Sequence, residues 1–457
     1  MSVNLNLPAA QVDLGSATYA NLRANLQANI LKSHGRPNQR HVFLEFTGTA
    51  AAVKTWIKTH VAPKVTTAEA QHQQALARTA NPAADGGLVT GFFLSATGYA
   101  KLSLALGGFD DEFFRKGMKV KRGSGHDSLP ATWEQPYRGK VDAMVAFGDA
   151  SEAAVLAAVA ALTATLGGIA TRLTVEAGRA LVTADGVNRE HFGYADGISQ
   201  PLFDRSELPP ADQTKWDASA PLRLVLAADP FATGTVDAFG SYFVYRKLGQ
   251  RVDHFDSRVL ALAAAIPTNP ELAGAMAVGR FKDGTPVVDF DTAQGPTKAN
   301  GFKFNEVGDK FRCPVHAHIR KANPRKGIIL VNERDKRLAR RAVPYGKPVF
   351  PIAGGGFQDP SLAAERGLLF MCFQRSIEDQ FHFIQKRWVD DKNFPTLASK
   401  VGDDPVIGQN PGKEQRWPKV WGDKNAGKVD FNFEAAVTLK GGEYFFAPSK
   451  AFLDGLG

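Results

Sequence analysis

The chain has 457 residues, of which 44% are hydrophobic and 22% charged, a composition typical of a soluble globular protein with one large unit or two to three domains. Its formal net charge is +9, but the basic residues are scattered among acidic ones and no recognisable nucleic-acid-reading module accompanies them, so we expect no nucleic-acid partner. Two cysteines, Cys313 and Cys372, without a CxxC motif exclude a disulfide framework and a thiolate metal site.

The first half of the chain alternates between strand-like and helical runs. The predicted elements are strands at 40–46, 87–96 and 141–147, extended chain at 170–182, and helices at 49–60 and 151–166. Ser151 precedes the second helix, where its side chain can accept a hydrogen bond from a backbone amide of the first turn.

The second half repeats this rhythm. The predicted elements are strands at 222–226, 241–245, 327–331 and 367–373, and helices at 252–265 and 376–388. In the last helix, apolar residues recur at helical spacing, at Ile377, Phe381, Ile384 and Trp388.

Stretches rich in Pro, Asp and Gly at 206–220 and 269–300 predict linkers, and we place a domain boundary near residue 215. The expected domains are therefore 1–215 and 216–457. Helices between strands, twice over, fit either a parallel sheet or two split βαβ units with antiparallel sheets. The chain has neither a phosphate-binding GxxxxGK[ST] motif nor a GxGxxG motif after a strand, which disfavours nucleotide binding.

We expect neither a membrane span nor an export signal. No apolar run reaches about 18 residues without polar interruption, so we expect no spanning helix. The first eight residues carry neither a basic region nor a continuous apolar region. We expect a cytoplasmic location, and secretion by an unconventional route stays open.

The segment from His191 to Pro201 reads HFGYADGISQP. Gly193 and Gly197 permit backbone angles that other residues avoid, and they flank Asp196 among aromatic and aliphatic neighbours. A carboxylate in such a setting can accept and return a proton. Taken alone, however, the segment fits a simple Asp-Gly turn with a solvated Asp196 better.

Two histidines lie close together in the segment from Phe311 to Arg325, FRCPVHAHIRKANPR. His316 and His318 would share one face of an extended segment but diverge on a helix. They could bind a metal jointly, or one could be a ligand and the other a bystander. A lone histidine more often has a structural role.

Two adjacent arginines, Arg340 and Arg341, precede an apolar turn at Pro344-Tyr345-Gly346. Their guanidinium groups could bind phosphate or carboxylate through paired hydrogen bonds. A solvated basic loop is the favoured interpretation of this segment by itself.

Together, the order and spacing of the three segments resemble the dye-decolourising peroxidase family. That family carries a GxxDG motif, matched by 193–197 (GYADG), and a segment similar to CPxxAHIRKxNPR, matched by 313–325 with His318 at the iron-ligand position. An arginine ahead of a PYG or PFG turn follows, matched by Arg340. The further segments that resemble the family are 26–36, 240–247 and 367–388.

The resemblance covers nearly the whole chain and is strongest to the larger subclasses, which include fungal enzymes and their bacterial relatives. It implies an α+β fold of two ferredoxin-like halves with antiparallel β-sheets and peripheral helices. One haem b per chain is expected between them. The resemblance thus selects the antiparallel arrangement over the parallel one.

The resemblance also assigns roles to single residues. His318 is expected to be the axial iron ligand, with His316 as a bystander. Asp196 is expected to take a proton from hydrogen peroxide and return it, and Arg340 to stabilise the charge that develops. Arg341 is the alternative to Arg340 if the register differs by one residue.

A haem-ligating histidine usually donates its other N–H to a carboxylate. Glu378 and Asp379 open the helix that follows the strand at 367–373, and both are candidate partners for His318. The residues expected to line the haem pocket are Ile198, Leu368 and Phe370.

The implied function is that of a haem peroxidase, which reduces hydrogen peroxide while it oxidises dyes, phenolics and other aromatic electron donors. One alternative is a non-catalytic haem carrier or iron-recovering haem protein on the same fold, which would need His318 but neither Asp196 nor Arg340. A third interpretation is a basic interaction module without a cofactor.

Overall fold

The computed structural model of the chain describes most of its residues. The described ranges are 2–81, 86–208, 220–304, 312, 314–325, 332–361, 363–395, 401–409, 415–423 and 425–457. The predicted domain boundary near 215, the predicted strand at 327–331 and Cys313 lie outside them. The division into 1–215 and 216–457 therefore stays a prediction.

Strands and helices alternate along the described residues. The strands are β1 (Asn38–Phe46), β2 (Val89–Ser95), β3 (Ala143–Asp149), β4 (Ala170–Arg179), β5 (Leu181–Val182), β6 (Asn188–Arg189), β7 (Ala227–Ala228), β8 (Phe239–Gln250), β9 (Ala339–Arg340), β10 (Val343–Tyr345), β11 (Gly367–Gln374), β12 (Gln415–Pro418), β13 (Lys428–Phe431) and β14 (Val437–Ala447). The α-helices are α1 (Ala20–Asn25), α2 (Ala50–Trp56), α3 (Ala68–Ala80), α4 (Ala96–Lys101), α5 (Glu112–Lys116), α6 (Gln135–Arg138), α7 (Glu152–Thr163), α8 (Val252–Ala265), α9 (Pro270–Val278), α10 (His318–Ala322) and α11 (Lys450–Gly455).

Antiparallel pairing joins the long strands into one sheet. Its hydrogen-bonded order is β10-β11-β8-β14-β2-β3-β1-β4, with β7 on β8 and β9 on β11. The C-terminal β14 pairs with β2, where Phe445 lies opposite Ser95. This pairing joins the antiparallel strands β10-β11-β8-β14 to the antiparallel strands β2-β3-β1-β4. The outermost strands β4 and β10 also contact each other. The predicted α+β fold with two antiparallel halves is confirmed.

The two faces of β8 serve different purposes. Side chains alternate along a strand, so Arg246 and Leu248 lie on the face opposite Phe243. Phe243 stacks on Phe93 of β2 with ring centroids 4.5 Å apart, in a core that both halves share. On the other face, Leu368 of β11 lies opposite Leu248. That face borders a cavity, described below.

Most predicted elements lie within a few residues of their expected bounds, and the Ser151 side chain caps α7 by accepting from the Ala154 N–H. The strand predicted at 222–226 is wrong, because Leu222–Leu224 forms a short 3-10 helix. A continuous apolar run does not distinguish a buried strand from a buried helical turn. The stretch 269–300 is not a linker throughout, since it contains α9.

The helix predicted at 376–388 is confirmed, with wider turns than an α-helix. The Ser376 side chain accepts from the Asp379 N–H at its start, and the wide turns span Ile377–His382 and Ile384–Val389. Within the part of the chain that the structure describes, no helix is long and apolar enough to cross a membrane.

Candidate active site

A cavity lies between the second-half strands, α10, the wide-turned helix and the loop that follows β6. It encloses about 1900 Å³ of empty space, including its opening to solvent. The predicted site residues that line it are Asp196, Ile198, His318, Arg340, Leu368 and Phe370. Residues from four separate segments of the sequence are thus brought together, as a shared site requires.

His318 is the first residue of α10, and its imidazole lines the cavity. Its Nδ1 lies 2.8 Å from Oδ2 of Asp404, a carboxylate whose side chain is fully buried. The other carboxylate oxygen accepts from the Val406 and Ile407 N–H groups, at 2.7 and 3.0 Å. Asp404 is therefore fixed on both sides, and it holds the proton of His318 on Nδ1.

The second nitrogen of His318, Nε2, makes no hydrogen bond within the described residues. Burial lowers the pKa of the ring, whereas the charge of Asp404 and the hydrogen bond to it raise the pKa, and the net pKa lies above the usual value for histidine. The imidazole is thus oriented by one nitrogen and open to the cavity at the other.

The expectation that Glu378 or Asp379 pairs with His318 is wrong. Both are exposed at the start of the wide-turned helix, outside the cavity lining. Their backbone N–H groups donate to Asp111 and Ser376. The true partner, Asp404, follows His318 by 86 residues, and no spacing or motif signal in the sequence points to it.

Lys321, on the same short helix, supports the segment that carries Asp404. Its buried ammonium donates to the carbonyls of Asp391 and Gly402, at 2.8 and 2.7 Å. Burial lowers the pKa of Lys321 to about 8, against the opposing charge of Asp404 and its neighbours. The motif around His318 therefore supplies both the imidazole and an anchor for its carboxylate partner.

His316 lies away from the cavity. Its ring is 1% exposed and packs against Trp417, with centroids 3.7 Å apart. Burial lowers the pKa of His316 to about 3. The two histidines do not share a site, because α10 begins between them and turns their side chains apart.

Asp196 lies in the loop between β6 and β7, with Gly193 and Gly197 both at positive φ, 87° and 78°. Its N–H donates to the Asn188 carbonyl at 2.9 Å, and its Oδ1 accepts from the Gly197 N–H at 2.6 Å. Oδ2 makes no hydrogen bond within the described residues. The expected Asp-Gly turn is present, but the Asp196 carboxylate lines the cavity.

Arg340 faces this carboxylate from β9. Its Nη1 lies 3.6 Å from Oδ1 of Asp196, and its Nη2 donates to the Ser199 carbonyl at 3.2 Å. The neighbouring Arg341 is 8% exposed, and its guanidinium donates to the carbonyls of Asn29 and Ile30. Since successive side chains of an extended segment alternate, only Arg340 reaches the cavity.

The remaining lining combines apolar walls with cations. Two buried arginines, Arg280 and Arg325, flank Asn300, to which both donate. Burial and the neighbouring Arg280 lower the pKa of Arg325 to about 9, and burial lowers that of Arg280 to about 10. A bound anion would relieve this concentration of positive charge.

Comparison with known proteins places this site in a family. Residues 276–397 match the family model described as Dyp-type peroxidase, C-terminal. The chain is 37% identical over 460 residues to the multifunctional dye peroxidase DyP2 of Amycolatopsis sp., covering 96% of each chain. The chain belongs to the dye-decolourising peroxidase family. It is a haem-dependent peroxidase.

Further members of the family agree with the chain over nearly its full length. Peroxidase 2 of Mycetinis scorodonius is 30% identical, over 97% of this chain and 90% of its own. The crystal structure of a DyP-type peroxidase from Anabaena sp. superposes with a TM-score of 0.90 at 38% identity, over 99% of this chain and 98% of its own. The structure of DyP2 gives 0.91 at 35% identity, over 99% and 100%.

The side chains that line the cavity fit a haem. Leu248, Leu368 and Phe370 supply an apolar wall, Arg280 and Arg325 lie where carboxylates could be bound, and the imidazole of His318 is open to the cavity at Nε2. Such a donor set suits a planar apolar group with anionic substituents and an iron that takes a nitrogen ligand.

Proposed function

We propose that the chain reduces hydrogen peroxide with electrons from dyes, phenolics and other aromatic donors, using one haem b per chain. The observation that carries the proposal is that Asp196, Arg340 and His318 line one cavity, with the buried Asp404 behind His318. The names of relatives, a multifunctional dye peroxidase and a dye-decolorizing peroxidase of Auricularia auricula-judae, support the substrate class.

His318 would hold the haem iron through Nε2, because Nδ1 is engaged by Asp404. The negative charge of Asp404 increases the electron donation of the imidazole. Ile198, Leu368 and Phe370 would contact the macrocycle, and Arg280 and Arg325 would bind its carboxylates. When bound, haem supplies the redox chemistry that accepts oxidising equivalents from peroxide and passes them to the aromatic donor.

Asp196 is proposed to move the peroxide proton. Its Oδ1 is held by the Gly197 N–H, whereas Oδ2 is available to take a proton from one oxygen of hydrogen peroxide and return it to the other as water leaves. Proton transfer by a positioned group of this kind typically accelerates a reaction by about 10²–10⁴-fold.

Arg340 is proposed to stabilise the negative charge that develops as the O–O bond breaks. Its guanidinium is permanently cationic, and the Ser199 carbonyl and the Asp196 carboxylate hold it at the cavity. A non-catalytic haem carrier would need the His318–Asp404 pair but would have no use for this second pair.

The visible spectrum of the purified, haem-loaded protein tests the proposal. We expect a Soret band that changes within seconds of adding one equivalent of hydrogen peroxide and returns when a phenolic donor or dye is added. A protein that holds haem but shows no spectral change with peroxide would be a carrier. A protein without a Soret band after reconstitution would contradict the haem site itself.

A further inference from the structure

Glu190 is a second carboxylate on the cavity wall, six residues before Asp196 and without a part in the proton transfer described above. Its Oε2 accepts from the Phe192 N–H at 2.9 Å, and its Oε1 from the Tyr194 N–H at 2.9 Å. Its own backbone closes the same turn, since the Glu190 carbonyl accepts from the Gly193 N–H and the Glu190 N–H donates to the Tyr194 carbonyl.

The carboxylate also ties this turn to the sheet. Nε2 of Gln250, on β8, donates to Oε2 of Glu190 at 2.6 Å. Gln250 lines the cavity beside Glu190. The Glu190 side chain thus fastens the turn of residues 190–194 to β8, a strand that also lines the cavity.

Asp196 follows directly from this turn. The Ala195 N–H donates to the Lys282 carbonyl, and the Asp196 N–H donates to the Asn188 carbonyl. Only Ala195 lies between Asp196 and Tyr194, whose amide is the last that Glu190 holds. A shift of the turn would therefore be passed on to the Asp196 carboxylate.

We propose that Glu190 is a positioning residue for Asp196: its carboxylate fastens the 190–194 turn to β8 and so holds the Asp196 carboxylate in place at the cavity. The proposal rests on the proposed role of Asp196 as the proton carrier. Glu190 itself touches neither peroxide nor donor in this account.

The electrostatics agree with the geometry. Burial raises the pKa of Glu190 to about 7, although its three hydrogen bonds lower the pKa, and the charge of Asp196 raises it further. An ionised carboxylate accepts hydrogen bonds more strongly than a neutral carboxyl group, so ionised Glu190 holds the turn more tightly. Below about pH 7 Glu190 is neutral, and the turn is held less tightly. Arg189 donates to the Gly193 carbonyl of the turn. The other titratable and charged side chains in the turn or on elements packed against it are His191, Arg246, Asp256, Glu271, Lys282, Arg340 and Arg366.

The test is the pH dependence of cyanide binding to the haem-loaded protein, which involves no turnover. Binding of HCN requires a base to take its proton, so its dissociation constant reports whether the Asp196 carboxylate is positioned to take that proton. In the unsubstituted protein, we expect the dissociation constant of cyanide to show an inflection near pH 7. The inflection should be absent in Glu190→Gln. It should be unchanged in the matched control Glu378→Gln, which alters an exposed carboxylate outside the cavity. A Glu190→Gln profile that keeps the inflection overturns the proposal.

Gln250→Met provides a second variant that leaves the Glu190 carboxylate in place. It removes one hydrogen bond that lowers the pKa of Glu190, so the inflection should move to higher pH. An inflection that does not move overturns the proposal, whether or not Glu190→Gln folds.

Stopped-flow mixing with hydrogen peroxide separates this inference from the proposed function. We expect Glu190→Gln to react about 10–100-fold more slowly, as displacement of a catalytic group produces. If the unsubstituted protein does not react with peroxide, the proposed function fails while the cyanide profiles still decide the role of Glu190. If the unsubstituted protein reacts and Glu190→Gln matches it at every pH, the inference about Glu190 is wrong.

Discussion

The two pairs of side chains proposed to act at the cavity differ in how tightly they are held. In the His318–Asp404 pair, the two side chains meet at 2.8 Å and the carboxylate is fully buried, with both oxygens accepting hydrogen bonds. In the Asp196–Arg340 pair, the nearest atoms are 3.6 Å apart and the side chains are 20% and 33% exposed. One pair is fixed, and the other keeps a carboxylate oxygen available.

This difference matches the demands of the chemistry. An axial ligand acts through a constant orientation and a constant charge, which a buried and fully hydrogen-bonded carboxylate supplies. A proton carrier must change its protonation state during each turnover, which requires an oxygen open to the substrate. The comparison predicts that changes to the first pair affect haem binding and haem electronics. Changes to the second pair should leave the haem content unchanged and affect proton transfer and charge stabilisation in the cavity.

The largest expected effect is the loss of haem from His318→Ala. The variant removes the only described imidazole that lines the cavity, so the ratio of Soret to 280 nm absorbance should fall to a small fraction of the original value. His316→Ala is the control: it loses packing against Trp417 but should keep its haem. Full haem content in His318→Ala would show that the iron is held elsewhere.

Arg340→Leu tests the second pair. It should keep its haem and react with hydrogen peroxide about 10²–10³-fold more slowly, similar to the loss of one preorganised charge-stabilising donor. Arg341→Leu is the matched control, because that guanidinium donates to the carbonyls of Asn29 and Ile30 instead. It should lower the melting temperature and leave the reaction rate unchanged; the reverse pattern would assign the catalytic cation to Arg341.

Asp404→Asn tests what the negative charge in the His318–Asp404 pair contributes. The variant keeps a hydrogen-bond acceptor for His318 but removes the charge, so the reduction potential of the haem should rise and the peroxide reaction should slow by about 10–100-fold. Asp379→Asn, an exposed carboxylate of the wide-turned helix, should change neither property. Equal potentials in Asp404→Asn and the unsubstituted protein would contradict the role of this charge.

The pH dependence of stability tests a buried residue that belongs to neither pair. His41, 1% exposed in β1, has its pKa lowered to about 3 by burial. Below pH 6.5 the unfolded chain takes up a proton that the folded chain does not, so the free energy of unfolding falls by about 1.4 kcal/mol per pH unit for this residue, down to about pH 3. His41→Gln should reduce that slope in thermal unfolding, and its peroxide reaction should not change. An unaltered slope would mean that His41 is already protonated in the fold.

The sequence predicted more of the Asp196–Arg340 pair than of the His318–Asp404 pair. Asp196 and Arg340 follow from the resemblance to the family, because they match its GxxDG motif and its arginine ahead of a PYG or PFG turn. The glycines of that motif, Gly193 and Gly197, both have positive φ. Each residue depends on local structure, which a motif records.

Asp404 could not be found in this way. Its contact with His318 joins residues 86 positions apart, and it depends on how α10 packs against the segment that Lys321 anchors. Glu378 and Asp379 were chosen for their position at a helix start, but the helix turns them to the solvent. Likewise, the apolar run at 222–226 was uniform, and only tertiary packing decided that it would form a helical turn.

Asp196→Asn in stopped-flow mixing with hydrogen peroxide tests the central claim most directly. The substitution keeps the shape of the side chain and an acceptor for the Gly197 N–H, but the amide cannot take up the proton. We predict normal haem content and a reaction with peroxide that is about 10²–10⁴-fold slower. An unchanged rate in a variant with full haem would contradict the account and leave Arg340 as the main catalytic group.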